Sequence, residues 1–276
     1  MRVAVCAKPV LDPDAVNAYA LWGRLQLDPQ GRWLAHQGIP LLMNAYDEQA
    51  LEAALRLRDR GMQGTITVLI AGGESAAPIL RKALAMGADR AVLLRDAADE
   101  AGDGLAVAYR LAQAVRKLGG ADLVLCGRQA SDDDQGVVGP ALAEFLGMPS
   151  VTIARDIQVG PQDVLRVTRV LPDGEEVVEV ALPALVTVSS ELGPPRFPTA
   201  RGMMDARRKQ LTIWSPQDLE GNDASPTSLP PYRGPGVQRL AVRVPEIQGQ
   251  CEFIMGDTVQ QKAAALAQRL RQDGLI

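Results

Sequence analysis

The chain offers little thiol, imidazole or excess charge on which to build a reaction. Its 276 residues include three widely separated cysteines, Cys6, Cys126 and Cys251, and a single histidine, His36. That inventory excludes a CxxC redox motif and a Cys/His zinc site, so no metal centre is expected. His36 stands between Ala35 and Gln37 in a loop-like stretch and reads as a surface residue rather than a general base. Cys6 and Cys126 fall in apolar strand patterns, where a buried thiol behaves as a small hydrophobe. The net charge is −4 and the 29 basic residues are scattered, which excludes a nucleic-acid footprint. Long apolar runs are missing as well: the stretch 66–71 is short and interrupted by Thr67, against the roughly 20 residues that a membrane span needs. The first residues, MRVAVCAKPV, enter an alternating strand without the basic and long apolar parts of a secretory leader, and a cytoplasmic location is expected. No GxGxxG follows that strand and no nucleophile–base pair is visible, so no catalytic residue is assigned.

What is present is a core-forming composition, 47% hydrophobic, enough for one large domain with or without extensions. Up to residue 150 short β-rich runs at 2–7, 65–70, 91–94 and 122–126 alternate with helical patterns at 47–60, 75–86 and 103–118. Alternation of this kind predicts a mostly parallel sheet, doubly wound by helices. The helices carry inward stripes at Leu51, Ala54 and Leu55, at Ile79, Leu80 and Ala83, and at Leu105, Ala108 and Leu111. Beyond residue 150 the runs 164–170 and 176–180 flank Asp173-Gly174 and predict a β-hairpin, with a further strand at 184–188. The domain organisation expected is therefore an α/β domain over 1–193, followed over 194–276 by a Pro- and Gly-rich extended arm with a terminal helix at 257–273. That helix places Val259, Ala263, Leu266 and Leu270 on one side, to pack onto another chain or to fold back on its own domain.

Two segments carry candidate site residues. The run LVLCGRQASDDDQGVVGPALAEFLG (123–147) passes from a buried strand ending at Cys126, through Gly127, into a helix. Strand ends of this type are where open parallel sheets bind ligands. Backbone amides of residues 135–138 are placed to meet a phosphate, aided by the helix dipole, with Gly136 leaving room for its approach. Asp132, Asp133 and Asp134 either serve only as favourable residues at a helix start or act on ribose hydroxyl or amino groups, Asp132 and Asp134 being the better placed. In MNAYDEQALEAALRLRDRG (43–61), Asn44 is a candidate helix cap and Asp47 and Glu48 suit the first turn.

Taken together, CAKPV (6–10), NAYDEQALEAALRL (44–57), RKALAMGADRAVLL (81–94), GRQASDDD (127–134) and PRFPTARGMMDARRK (195–209) make the chain resemble the electron-transfer flavoprotein β-subunit family over about three quarters of its length. The resemblance implies an α/β fold of the adenine-nucleotide α-hydrolase type and an arm that embraces a larger α-type subunit carrying the redox FAD. It places an adenine nucleotide against Cys6 and Ala7, Asn44, Ala45, Tyr46 and Asp47, Ala71, and the loop Gly127, Arg128, Gln129, Ala130, Ser131, Asp132, Asp134, Gln135, Gly136, Val137 and Val138. Simple members hold AMP there; electron-bifurcating members hold a second FAD and split electron pairs from NADH. The acidic triplet resembles the AMP class, whereas Val138-Gly139-Pro140 and the stretch 28–40 resemble the bifurcating class.

The segment with Arg196, Ala200, Met203 and Met204 corresponds to the loop that docks on acyl-CoA dehydrogenases. Ala200 stands where simple members insert a leucine, a loss of roughly 2 to 3 kcal/mol of anchoring. A different partner is expected, or a dock built on the methionines and the basic residues 207–209, charges that equally suit a solvated helix face. Two other readings are carried: a free-standing nucleotide-binding protein of the universal-stress type, which has little use for the arm, and an adenine-nucleotide α-hydrolase enzyme, which the missing glycine-rich loop disfavours.

Overall fold

A computed structural model describes residues 1–29, 31, 34–35, 38–95, 103–219, 240–244 and 251–276; His36 lies outside the described residues. Two compact units are present, Met1–Val242 and Arg243–Ile276. The first is built on a nine-stranded sheet. In chain order its strands are β1 (Arg2–Ala7), β4 (Thr65–Ala71), β5 (Arg90–Leu94), β6 (Leu123–Gly127), β7 (Ser150–Val159), β8 (Val164–Leu171), β9 (Gly174–Ala181), β10 (Ala184–Val188) and β11 (Thr212–Trp214). They lie in the order β11-β5-β4-β1-β6-β10-β7-β8-β9. A separate antiparallel pair, β2 (Pro9–Leu11) and β3 (Leu41–Met43), brackets the excursion that holds α1 (Pro13–Leu21).

Strands β11 to β7 run parallel, and β7, β8 and β9 continue antiparallel. The difference is written in the side chains. The central parallel strands are covered on both faces and read as near-continuous apolar runs, such as LVLC in β6. In β9 the sequence GEEVVEVA has no buried residue. The expected hairpin is borne out with register Leu171↔Gly174, while β7, β11 and the short β2/β3 pair are additional to the sequence reading.

One face of the sheet is covered by α2 (Ala45–Asp59), α3 (Ala77–Met86) and α6 (Ala200–Arg208), the other by α4 (Gly104–Lys117), α5 (Val138–Leu146) and α7 (Pro216–Leu219). The expected stripes of α2 and α3 are buried. That of α4 needs correction: Ala108 and Leu111 are buried, but Leu105 is exposed and Ala112 and Val115 take its place. Two steps of three residues rotate about 120° around a helix, so 105 and 111 cannot share a narrow stripe. In the second unit, α8 (Val259–Gln272) begins at Thr258 with a full capping box completed by Gln261.

Chain order sets the position of the site. From β1 the chain moves to β4 and β5 on one side, then crosses to β6 and later β10 on the other. The parallel strands therefore diverge at β1/β6, and a crevice opens beyond their carboxyl ends.

Candidate functional site

That crevice is a cleft of about 780 Å³, its open mouth included. Cys6 and Ala7 from β1, Ala71 from β4, and Cys126 and Gly127 from β6 form its floor. Val107 and Leu111 of α4 supply an apolar wall, and Asn44, Asp47 and the loop after β6 supply a polar one. Of the sequence-predicted residues, the cleft brings together Cys6, Ala7, Asn44, Asp47, Ala71, Gly127, Arg128, Gln129, Ala130, Gln135, Gly136 and Val138. Ala45, Tyr46, Ser131, Asp132, Asp134 and Val137 are not part of this lining; Tyr46 supports it by offering its ring to Arg128 at 5.6 Å. Residues that sequence reasoning passed over also line it: Lys8, Asp103, Gly104, Val107, Leu111, Cys126, Asp133 and Gly139.

Asn44 occupies the cap position of α2 but makes no side-chain cap bond, contrary to the sequence expectation. Its amide instead clips the β6 loop, donating from Nδ2 to the Gln129 carbonyl at 2.9 Å and accepting the Ser131 N–H on Oδ1 at 3.1 Å. Three residues on, Asp47 is buried and accepts the backbone N–H groups of Lys8 and Gly127, both at 2.8 Å, one on each oxygen. Its carboxylate thus ties the end of β1 to the end of β6. Burial pushes the Asp47 carboxyl up to about 6, against the lowering effect of those N–H bonds. The Asn44 side chain and the Lys8 charge lower it as well, and together these only partly offset the desolvation.

Gly127 is required at this junction. A Cβ there would lie 2.5 Å from Asp47 Oδ1, 2.6 Å from Tyr46 Cβ and 2.8 Å from the Tyr46 carbonyl carbon. Beneath it, Cys6 and Cys126 are neighbours across β1 and β6. The hydrogen bond with Cys6, followed by burial, raises the Cys126 thiol well above its ordinary range, so it stays protonated and unreactive at neutral pH.

The acidic triplet is divided by its partners. Asp132 accepts the Lys8 ammonium at 2.7 Å, Asp134 accepts Gln129 Nε2 at 2.7 Å, and Asp133 accepts Lys8 Nζ at 3.4 Å on one oxygen and the Gln135 N–H at 3.2 Å on the other. Partial burial works against the Lys8 charge, but the bond to Asp132 and the attraction of both carboxylates outweigh it and hold its pKa above the ordinary lysine value. Helix α5 begins at Val138, so Gln135 and Gly136 belong to the loop that precedes it.

A cleft of this build at the β1/β6 divergence agrees with what comparison with known proteins finds. Residues 32–219 match the electron transfer flavoprotein domain. Electron transfer flavoprotein subunit beta of Megasphaera elsdenii is 36% identical over 282 residues, covering 96% of this chain and 98% of its own. The chain belongs to the electron transfer flavoprotein β-subunit family. Caffeyl-CoA reductase-Etf complex subunit CarD of Acetobacterium woodii is 37% identical over 287 residues, all of both chains, and Protein FixA of Azorhizobium caulinodans is 38% identical over 236 residues, 83% of this chain and 80% of its own. Its role is that of an electron transfer subunit, and the universal-stress reading is set aside. Among the described residues no helix is long and apolar enough to cross a membrane.

In this β-type subunit the segment 194–209 is not a free loop. Arg196 bonds Glu52 through Nε at 2.8 Å and Asp59 through Nη2 at 2.6 Å, while Arg56 binds Glu52 from the other side and donates to the Leu192 and Pro194 carbonyls. Burial disfavours the Glu52 charge, but Arg196 and Arg56 prevail and hold its pKa below the usual carboxylate value. The helix α6 that follows is capped by Thr199 and presses on α3: a Cβ on Gly202 would lie 2.2 Å from the Ala85 carbonyl oxygen. Arg81 donates to the Ala206 carbonyl at 2.6 Å and also bonds that of Lys209. Met203 and Met204 are exposed on this mount, as is Phe197, which lies 92% open and was not singled out in the sequence.

Proposed function

We propose that this chain binds the AMP moiety of an adenine nucleotide in the β1/β6 cleft and works as a heterodimer with an α-type flavoprotein subunit. The cleft carries the reading. Its apolar floor and α4 wall suit a purine ring, and its rim offers Lys8, the amides of 135–138 and the carboxylates of the β6 loop for phosphate and ribose. The residues that fit the nucleotide are Cys6, Ala7 and Ala71 against the base, with Asn44 and Asp47 holding the loop in place. Ala45, Tyr46, Ser131, Asp132, Asp134 and Val137 flank these contacts and belong to the same site.

No acid–base residue is assigned a catalytic part; the redox chemistry belongs to the FAD that the α-type subunit carries. The chain's own work is to bind, cover and position. Functionally it divides at 194: residues 1–193 carry the nucleotide, and 194–276 carry the dock and the arm. Val259 and Leu266, exposed on α8, are suited to cover the α-type partner. The segment of Arg196, Ala200, Met203 and Met204 docks a dehydrogenase, with the methionines replacing the leucine anchor.

Similarity to a subunit of a caffeyl-CoA reductase-Etf complex, together with Val138-Gly139-Pro140, supports a second reading in which an FAD fills the same cleft and electron pairs from NADH are divided. Co-purification with the α-type subunit and measurement of flavin and AMP per heterodimer separates the two. One FAD and one AMP is the outcome expected of a simple carrier; two FAD and no AMP selects the bifurcating reading. A flavin-free chain that neither pairs nor binds a nucleotide overturns both.

A further inference from the structure

Three adjacent carboxylates at the rim of a phosphate site pose an electrostatic problem, and the geometry around Lys8 points to its solution. Asp132 and Asp134 are held by the short bonds to Lys8 and Gln129, both 2.7 Å, and lie outside the cleft lining. Asp133 is the one of the three that lines the cleft, and its two oxygens take the longer contacts: 3.4 Å to the Lys8 ammonium and 3.2 Å to the Gln135 N–H. An ammonium and a loop amide just ahead of a helix start are the donor pair that a phosphate recruits.

We propose that the Asp133 carboxylate is a built-in stand-in for phosphate, holding Lys8 and the Gln135 amide in readiness until a phosphate monoester displaces it and takes both donors. The proposal rests on the nucleotide reading of the cleft and adds to it a self-competing anion. Asp132 keeps Lys8 at the mouth throughout, so the ammonium is neutralised but not withdrawn. Displacement is inexpensive because the Asp133 contacts are long and partly exposed, where ion pairs contribute little. The phosphate brings higher charge and more acceptor oxygens than the carboxylate it replaces. An uncharged nucleoside has nothing with which to displace Asp133, so the device acts on nucleotides alone, tempering their affinity while leaving that of nucleosides unchanged.

Calorimetric titration of the nucleotide-stripped full chain with AMP and with adenosine tests this. Asp133→Asn is expected to tighten AMP about five- to tenfold, the loss of one competing charge-assisted contact, and to leave adenosine unchanged. Lys8→Gln is expected to weaken AMP by a similar factor, again without effect on adenosine. Glu191→Gln, which removes the same charge from beside Arg128 of the same loop but touches neither donor, is expected to change AMP less than twofold. Equal gains from Asp133→Asn and Glu191→Gln would mean general repulsion and would overturn the proposal, as would an Asp133→Asn chain that binds AMP no better than the parent. If AMP binds and only these differences fail, the stand-in is wrong and the nucleotide site survives. If neither ligand binds any of the four chains, both readings fall.

Discussion

One helix, α2, serves two regions of the molecule with two buried carboxylates that are stabilised in opposite ways. At its first turn Asp47 faces the cleft and is held chiefly by the backbone N–H groups of Lys8 and Gly127, with its pKa raised by burial. One and a half turns later, Glu52 faces the segment 194–196 and is gripped by two guanidiniums, with its pKa lowered. The contrast teaches what each region needs. A cleft floor that receives a nucleotide gains from a carboxylate held mainly by fixed main chain, because the groups that bond it do not have to move when the ligand enters. A segment that must be held to a surface gains from arginines, which reach across and bind bidentately.

The largest effect expected from breaking this comparison is at Gly127. Alanine there meets Asp47 Oδ1, Tyr46 Cβ and the Tyr46 carbonyl carbon, all under 3 Å, and two of the three are close to the helix backbone. Relief requires α2 to retreat from β6. Gly127→Ala should cost about 3 kcal/mol of stability in urea denaturation and remove more than tenfold of AMP affinity. Retention of both would show that the junction yields more easily than its spacing implies.

Next in size is the pH dependence at Asp47. Its folded pKa of about 6 stands above its ordinary value of 3.8, so between those values the folded chain binds more protons than the unfolded one. Stability contributed by this group therefore falls as pH rises from about 4 to about 6, by roughly 3 kcal/mol in all. Glu52 has the opposite sign: its contribution is present above the unfolded carboxylate range and is lost as pH falls through its lowered folded value. Subtracting the stability curve of Asp47→Asn from that of the parent isolates the first term. The difference should decline between pH 4 and 6 and be flat above 7; a difference that rises over that interval would reverse the assignment.

How much of this was legible in the sequence depends on range. The parallel strands announce themselves because both faces are covered, and the stripes of α2 and α3 follow from spacing alone. Asn44 and Asp47 were legible as residues of a helix start and misleading as to purpose, since their partners lie 39 to 87 residues away. Lys8 stood in view, in CAKPV, and the unpaired acidic triplet was the signal that a cation had to be near; the ion pair spans 124 residues and no local pattern points to it. Helix α6 was hidden by Pro194, Pro195 and Pro198, which mark an extended approach but end just before its Thr199 cap.

The smallest effect, and the one that most sharpens the contrast, is at Glu52. In Glu52→Gln the side chain still fills its site, but Arg196 keeps only Asp59 as a charged partner and Arg56 keeps only carbonyls. Uncompensated guanidiniums in a half-buried setting favour release of the segment, at a global cost of about 2 kcal/mol. The local effect should be plainer than the global one: tryptic cleavage after Arg196 should accelerate several-fold, while AMP affinity stays within twofold of the parent, because α2's first turn is untouched. If nucleotide affinity falls along with segment stability, the two ends of α2 are mechanically coupled, and the division of labour between Asp47 and Glu52 gives way to a single rigid element that transmits occupancy of the cleft to the docking surface.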